Sequence, residues 1–158
     1  MTPRRALASE HGALARIWHD AWHEAHAGHA PEALTRLRTR SEFEGRIGTL
    51  PGLRAIGPEG APLGLCAVRG AEMHQLFVAP EARGTGAAAA LLADAEARIA
   101  RGHEEAWLDC LMENGRARAF YERRGWRLAR IGPVDLDTSE GPFPLRVAIY
   151  AKTVGNPV

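Results

Sequence analysis

Apolar residues first recur at helical spacing from Leu14 onward. Leu14, Ile17, Trp18, Ala21, Trp22 and Ala25 fall on one face, and Ser9 stands where an N-cap is expected. Ahead of this helix, Arg4 to Ala6 reads as a short first strand, and behind it Gly28 and Pro31 break the pattern. A second helical segment is expected from Glu32 to Arg46. The pattern then shortens. Leu53 to Ile56 and Leu63 to Val68 are apolar runs joined by the turn-rich stretch GPEGAP, a hairpin signature, and Glu72 to Val78 alternates loosely as a further strand. An alanine-rich helix is expected from Gly86 to Arg101, with Ala88, Leu91, Leu92, Ala95 and Ile99 as its buried stripe and Gly102 closing it. Ala106 to Leu111 predicts a strand, and Asn114 can cap a helix that stops at Gly125. Two last strands, Arg127 to Ile131 and Arg146 to Ala151, flank a polar loop holding Asp135, Asp137 and Glu140. The order β-α-α-β-β-β-α-β-α-β-β is that of an α/β sandwich with a mixed sheet.

Composition narrows the function classes. With 158 residues, 46% hydrophobic and 25% charged, the chain is expected to form one domain spanning 1–158 with a proper core. A formal net charge of +1 gives no bulk attraction for nucleic acid or an anionic membrane, so neither is expected as a partner. No apolar run approaches the roughly 20 residues that span a bilayer. The amino-terminal stretch MTPRRALASEHG lacks the apolar core of a signal peptide, so the expected location is cytoplasmic. Cys66 and Cys110 stand alone in apolar surroundings and suggest neither a disulfide framework nor a zinc knuckle.

The stretch VAPEARGTGAAAALL (78–92) carries the strongest chemical signal. Glycine costs backbone entropy at the mouth of a helix, yet two glycines stand there beside an arginine. The first amides of a helix lack internal partners and sit at the positive end of its dipole, so small residues there let a phosphate reach bare backbone. A tight strand-to-helix turn explains the glycines equally well on spacing alone. Gly84-x-Gly86-x-x-Ala89 also satisfies a relaxed dinucleotide fingerprint. That fingerprint should begin directly at a strand end, whereas Ala79 to Arg83 intervene here, and no Walker lysine is present.

A second pattern, Arg83-x-x-Gly86-x-Ala88, preceded by LFVAP and followed by an amphipathic helix, resembles the pyrophosphate loop of the GNAT superfamily of acyl-CoA-dependent N-acetyltransferases. A separate stretch agrees with it, since NGRARAFYERRGW (114–126) is similar to that family's asparagine-to-tyrosine helix. The order of elements and the tryptophan-bearing first helix (IWHDAW) match as well. The resemblance implies a GNAT fold, with a mixed, mostly antiparallel central sheet, splayed parallel strands and about four helices. It implies acetyl-CoA as cosubstrate, without a metal, and a primary amine of a small molecule or peptide as acceptor. It also leaves pairing into a homodimer open.

The resemblance further implies residue roles. Arg83, Gly84, Thr85, Gly86, Ala87 and Ala88 would hold the pyrophosphate. Backbone amides of Leu76, Phe77 and Val78 would face pantetheine and the thioester carbonyl. Asn114 would contact pantetheine and Tyr121 would act as proton donor, the two lying seven residues apart on one helix face, about 10 Å along the axis. Glu72, or His74 two residues on and so on the same strand face, would relay the amine proton. Read without the family, Asn114 is a simple N-cap, Tyr121 a core aromatic beside Phe120, and Glu72 and His74 solvated strand-end groups. Asp135, Asp137 and Glu140 could draw a protonated amine, or form only a solvated loop. His19, His23 and His26 share a helix face opposite the apolar stripe and are expected to face water rather than a metal. Two further function classes stay open, a non-catalytic acyl-CoA-binding module and, more distantly, a dinucleotide-binding protein.

Overall fold

A computed structural model describes residues 1–155 of the chain. Seven strands form one sheet in the order β1-β2-β3-β4-β5-β7-β6. They are β1 (Arg4–Arg5), β2 (Arg54–Ile56), β3 (Gly64–Arg69), β4 (Glu72–Val78), β5 (Glu105–Cys110), β6 (Arg127–Leu136) and β7 (Phe143–Thr153). Five helices accompany them: α1 (His11–His26), α2 (Glu32–Leu37), α3 (Arg40–Ile47), α4 (Ala87–Ala100) and α5 (Gly115–Arg123). Every strand pair is antiparallel except β4 with β5. This is the α/β architecture expected above.

The two faces of the sheet build two cores. Successive residues alternate between them: Ala55 and Leu65 pack with Leu14, Trp18 and Phe43 of α1 and α3, while Ile56 and Cys66 pack with Leu91, Leu92 and Ile99 of α4. Both cysteines are free and buried, and burial pushes both thiols up to about 12.

The structure corrects several expectations. The segment from Glu32 to Arg46 is two helices, because Arg38 leaves the helical region and Thr39 caps α3 by accepting from the Glu42 amide. Within α4 the buried stripe begins at Ala87 rather than Ala88, which is only half-buried. The strands β6 and β7 run further than their apolar residues suggest and take Asp135 into β6. Gly132 and Pro133 read as a stop, but β6 is an edge strand, where a residue without an N–H is tolerated.

The face of α1 is rotated from the expected one. Leu14, Ala15, Trp18, Trp22 and His26 are its buried residues, while Ile17, Ala21 and Ala25 are half-buried. The histidine face is therefore covered, not solvated. His19 meets Phe43 edge-on at 5.7 Å, His23 Nε2 lies 2.6 Å from the Arg38 carbonyl, and His26 packs edge-on against Trp22 at 5.1 Å. The helices α2 and α3 supply that cover, and their short, weakly periodic patterns gave no sign of where they dock. No group of His, Cys, Asp and Glu that could hold a metal occurs among the described residues. No described helix is long and apolar enough to cross a membrane.

Ser9 does not cap α1. That end of the fold is held instead by the buried Glu10, whose carboxylate accepts from Arg4 at 2.8 and 2.7 Å, from the Leu7 amide at 2.9 Å and from the Gly60 amide at 3.1 Å. These bonds tie β1, the start of α1 and the β2–β3 turn to one side chain. The Arg4 pairing lowers the Glu10 carboxyl to about 2. Its folded pKa lies below the unfolded one, so its contribution is present above the unfolded carboxyl range and lost as pH falls toward about 2. Glu10→Gln should cost about 2–3 kcal/mol near neutral pH. Urea unfolding at pH 7 and pH 3 should show the difference shrinking at the lower pH.

Candidate active site

The parallel pair β4–β5 is joined only at its start. Glu72 is in register with Trp107, and the Trp107 amide bonds to the Ala71 carbonyl. Beyond that point β4 remains paired to β3 as far as Val78, while β5 turns to β7. The sheet opens into a wedge from Met73 to Val78, leaving one backbone edge of β4 without a strand partner. Two cavities lie along the wedge. They share Leu76, Phe77, Asn114, Ala117 and Tyr121, so they meet there.

The larger cavity has a volume of about 530 Å³. The strand residues Leu76, Phe77 and Val78 form one wall, and Arg83, Gly84, Gly86, Ala87, Ala88 and Ala89 at the mouth of α4 form another. Asn114, Tyr121 and the cations Arg116, Arg123 and Arg124 lie across from them on α5 and its flanks. Gly86 holds φ at +85° as the N-cap of α4, and Gly84 holds +76°. A Cβ built on either would meet no atom within 4 Å, so both glycines border open space as well as sparing the chain left-handed strain. The helical ladder starts at Ala90, which bonds back to the Gly86 carbonyl, and the Ala87 amide lies 3.3 Å from Thr85 Oγ1. The amides of Ala88 and Ala89 have no carbonyl behind them. Here a pyrophosphate would find amides, a helix dipole and cations together.

Two of the loop residues sit differently from the rest. Thr85 does not line the cavity, and its hydroxyl bonds to the Ala82 carbonyl. Arg83 lines the cavity but pairs with Glu24 of α1 at 2.5 Å, which holds that guanidinium at the groove mouth.

The smaller cavity, about 120 Å³, lies on the far side of the junction. Its wall includes Trp22, His26, Arg38, Met73, His74, Asp109, Leu111 and Leu136. His74 Nδ1 is 3.1 Å from Glu72 Oε2, and Glu72 also accepts from Arg69 at 3.1 Å. Glu72 itself is buried behind the wall and does not line the cavity, so it reaches the space only through His74. Asp137 accepts from Arg69 at 2.9 Å and lies 3.7 Å from His74 Nε2. Asp135 and Glu140 line neither cavity.

Sequence reasoning did not place three residues at this wall. Asp109 is the one charge in the otherwise apolar strand stretch Ala106 to Leu111. Its side chain makes no hydrogen bond among the described residues, and burial, with Glu72 nearby, raises its carboxyl to about 6. A lone carboxyl flanked by Leu108 and Cys110 was a legible anomaly. Arg38 and His26 reach the wall only through the docking of α1 and α2, and no sequence signal marks them.

Asn114 caps α5 by accepting from the Ala117 amide at 3.2 Å, and its side of the helix faces both cavities. Tyr121 is buried, between Phe120, Trp126 and Tyr150, with its side chain on both cavity walls. Burial raises its phenol well above the usual tyrosine range.

Comparison with known proteins bears on the fold and the family. The model of the acetyltransferase (GNAT) family matches residues 14–126. No curated protein matches the chain significantly. Among solved structures, a GCN5-related N-acetyltransferase from Rhodopseudomonas palustris is 19% identical with a TM-score of 0.74, covering 96% of this chain and 94% of its own. The PaiA N-acetyltransferase of Thermoplasma acidophilum, solved with coenzyme A, is 19% identical with a TM-score of 0.66, covering 97% and 99%. The ribosomal-protein-alanine N-acetyltransferase of Brucella melitensis is 17% identical, again with a TM-score of 0.66, covering 97% and 99%. At these identities the structures share the fold, and the family match carries the assignment: the chain belongs to the GNAT acetyltransferase family.

Proposed function

We propose that the chain is an acyl-CoA-dependent N-acetyltransferase that moves an acetyl group from acetyl-CoA to a primary amine. The observation that carries this reading is the meeting of the two cavities at Tyr121, with helix-start amides at one end of the wedge and an unpaired carboxyl at the other. Bound along the larger cavity, coenzyme A would lay its pyrophosphate on the mouth of α4. Its pantetheine would run past Asn114 along the free edge of β4, placing the thioester at the junction.

The chemistry then divides among residues of this chain. The amine enters the smaller cavity as an ammonium and gives its proton to Asp109, whose raised carboxyl is suited to hold a proton near neutral pH. The freed nitrogen attacks the carbonyl carbon. A backbone amide within Leu76 to Val78 stabilises the oxyanion, since β4 has no partner strand on that side. The thiolate departs beside Tyr121 and takes up the second proton, which the nitrogen sheds as the amide forms. An ordinary phenol gives its proton to a thiolate at a cost of roughly 2 kcal/mol, and burial makes this one more reluctant. The hydroxyl therefore acts mainly by hydrogen bonding to the sulfur as charge develops. A second proton route, through His74 oriented by Glu72, is favoured by their 3.1 Å contact. Asp109→Asn and His74→Gln separate the two routes, because only loss of the true base removes the acidic limb of the rate profile.

Four outcomes check this reading. Acetyl-CoA at a hundredfold excess over its dissociation constant should stabilise the protein by about 2.7 kcal/mol. A thermal scan that responds to NAD and not to coenzyme A would remove the reading. Gly86→Asn keeps a residue that tolerates left-handed backbone but fills the open space, so the fold should survive while coenzyme A affinity drops about tenfold or more. Unchanged affinity by calorimetry would make the glycine purely structural. Tyr121→Phe should lower kcat by about 10²- to 10⁴-fold with little change in acetyl-CoA affinity. Single-turnover rates equal to wild type would place the donor elsewhere.

The last outcome concerns pH. Asp109 must be ionised to accept a proton, so activity should fall as pH drops through about 6. Its folded pKa lies above the unfolded one, so at neutral pH the ionised group destabilises the fold. Asp109→Asn should therefore lose activity yet raise Tm at pH 7.5, with no gain at pH 4.

A further inference from the structure

The smaller cavity holds a second feature that proton transfer does not use. Arg38 is buried, at 5% exposure, and lines the wall opposite the wedge. Its Nη1 makes both of the side chain's hydrogen bonds, to Glu42 Oε1 at 2.6 Å and to the Asp137 carbonyl at 2.8 Å. The other edge of the fork is unengaged, and Nε is sealed from water with no partner among the described residues. A buried guanidinium nitrogen left unpaired is costly; Nε is closed to a ligand as it is to water, which leaves Nη2, without a hydrogen bond among the described residues, as the nitrogen open to a carboxylate oxygen.

Glu42 is shared, since it also accepts from Arg46 at 3.2 Å, so two guanidinium groups lean on one carboxylate. Asp137 gives Arg38 its backbone carbonyl, while its carboxylate is engaged by Arg69 at 2.9 Å. Beside Arg38 on the wall stands His26, whose Nδ1 is likewise buried and unpartnered. Burial lowers this imidazole to about 4, so at neutral pH it is an uncharged donor or acceptor rather than a competing cation. The Arg38 guanidinium is fixed in place. It lies 5.6 Å from the Trp22 ring, and the residue's carbonyl bonds to His23.

One small cavity thus brings together an unpaired carboxyl, Asp109, and a guanidinium with a free nitrogen, Arg38, between apolar walls from Met73, Leu111 and Leu136. We propose that the acceptor is a free amino acid with a short apolar side chain, its amine beside Asp109 and its carboxylate on Nη2 of Arg38. This rests on the acetyltransferase reading above. Size agrees, because a cavity of about 120 Å³ is slightly smaller than the ~150 Å³ that holds a benzene ring. A polyamine would bring a second cation against Arg38. A peptide amino terminus would offer an amide where the guanidinium calls for a charge.

The test is a thiol-release assay on the wild-type protein with matched acceptors: alanine, alaninamide and ethylamine, then valine with its amide and isobutylamine. The amino acid should exceed both partners in kcat/KM by tenfold or more. The amide's amine is the easiest of the three to deprotonate, so a preference for the acid over its amide cannot arise from basicity. Arg38→Gln should collapse that preference by lowering turnover of the acid, and Arg38→Lys should restore only part of it. If Arg38→Gln fails to fold, the wild-type comparison decides alone. Amides or simple amines acetylated as well as the acids overturn the amino-acid inference and leave the acetyltransferase standing. No coenzyme A binding, or no thiol release with any acceptor, overturns the acetyltransferase reading and this inference with it.

Discussion

The parting of β4 from β5 is the constraint on which the rest of the site depends. A parallel pair inside a sheet would normally run for several residues and bury its backbone groups in a ladder. Here the ladder has one register pair, at Glu72 and Trp107. The strands stay in one sheet because each has another partner, β3 on one side and β7 on the other. The irregularity in β3 between Ala67 and Val68 falls opposite the start of β4, close to where the parting begins. The opening creates an unpaired backbone edge in the middle of a domain, and such an edge must find hydrogen-bond partners. In the proposed reaction an extended, amide-bearing pantetheine would supply such partners.

The helices complete what the wedge begins. Along one side, the mouth of α4 offers amides and positive φ glycines. On the other, Asn114 and Tyr121 stand one above the other along α5 because a spacing of seven returns to the same helix face. Small residues on α1, Ala21 and Ala25, line the same groove, so α1 packs by its tryptophans and leaves its alanines to the cavity. In the proposed reaction, binding and proton transfer are separated in space and share Tyr121 at the junction of the two cavities.

Much of this was legible in the residues. The α4 pattern, the α5 cap, the apolar run of β3 and the loose alternation of β4 follow from local pattern, and the loop at Arg83 to Ala88 announced itself through glycines at a helix mouth. What local pattern could not carry was docking. His19, His23 and His26 read as a wet face because α2 and α3, which cover them, are short and weakly amphipathic. Ser9 read as a cap because it has the right chemistry, while the tie is made by Glu10 through partners as distant as Gly60. Asp109 and Arg38 share no sequence motif, and only tertiary packing brings both to one small cavity. Glu72, visible as a strand carboxylate, turns out to lie behind His74 rather than in the open space.

The central claim is that the thioester sits in the wedge between the two cavities. Backbone amide chemical shifts on titration with coenzyme A and then acetyl-CoA test it most directly. The account predicts that coenzyme A moves Gly86 to Ala89 and Leu76 to Val78, and that the acetyl group adds changes confined to the junction around Tyr121 and Leu76. Shifts that leave Leu76 to Val78 untouched, or that gather away from the mouth of α4, would contradict it.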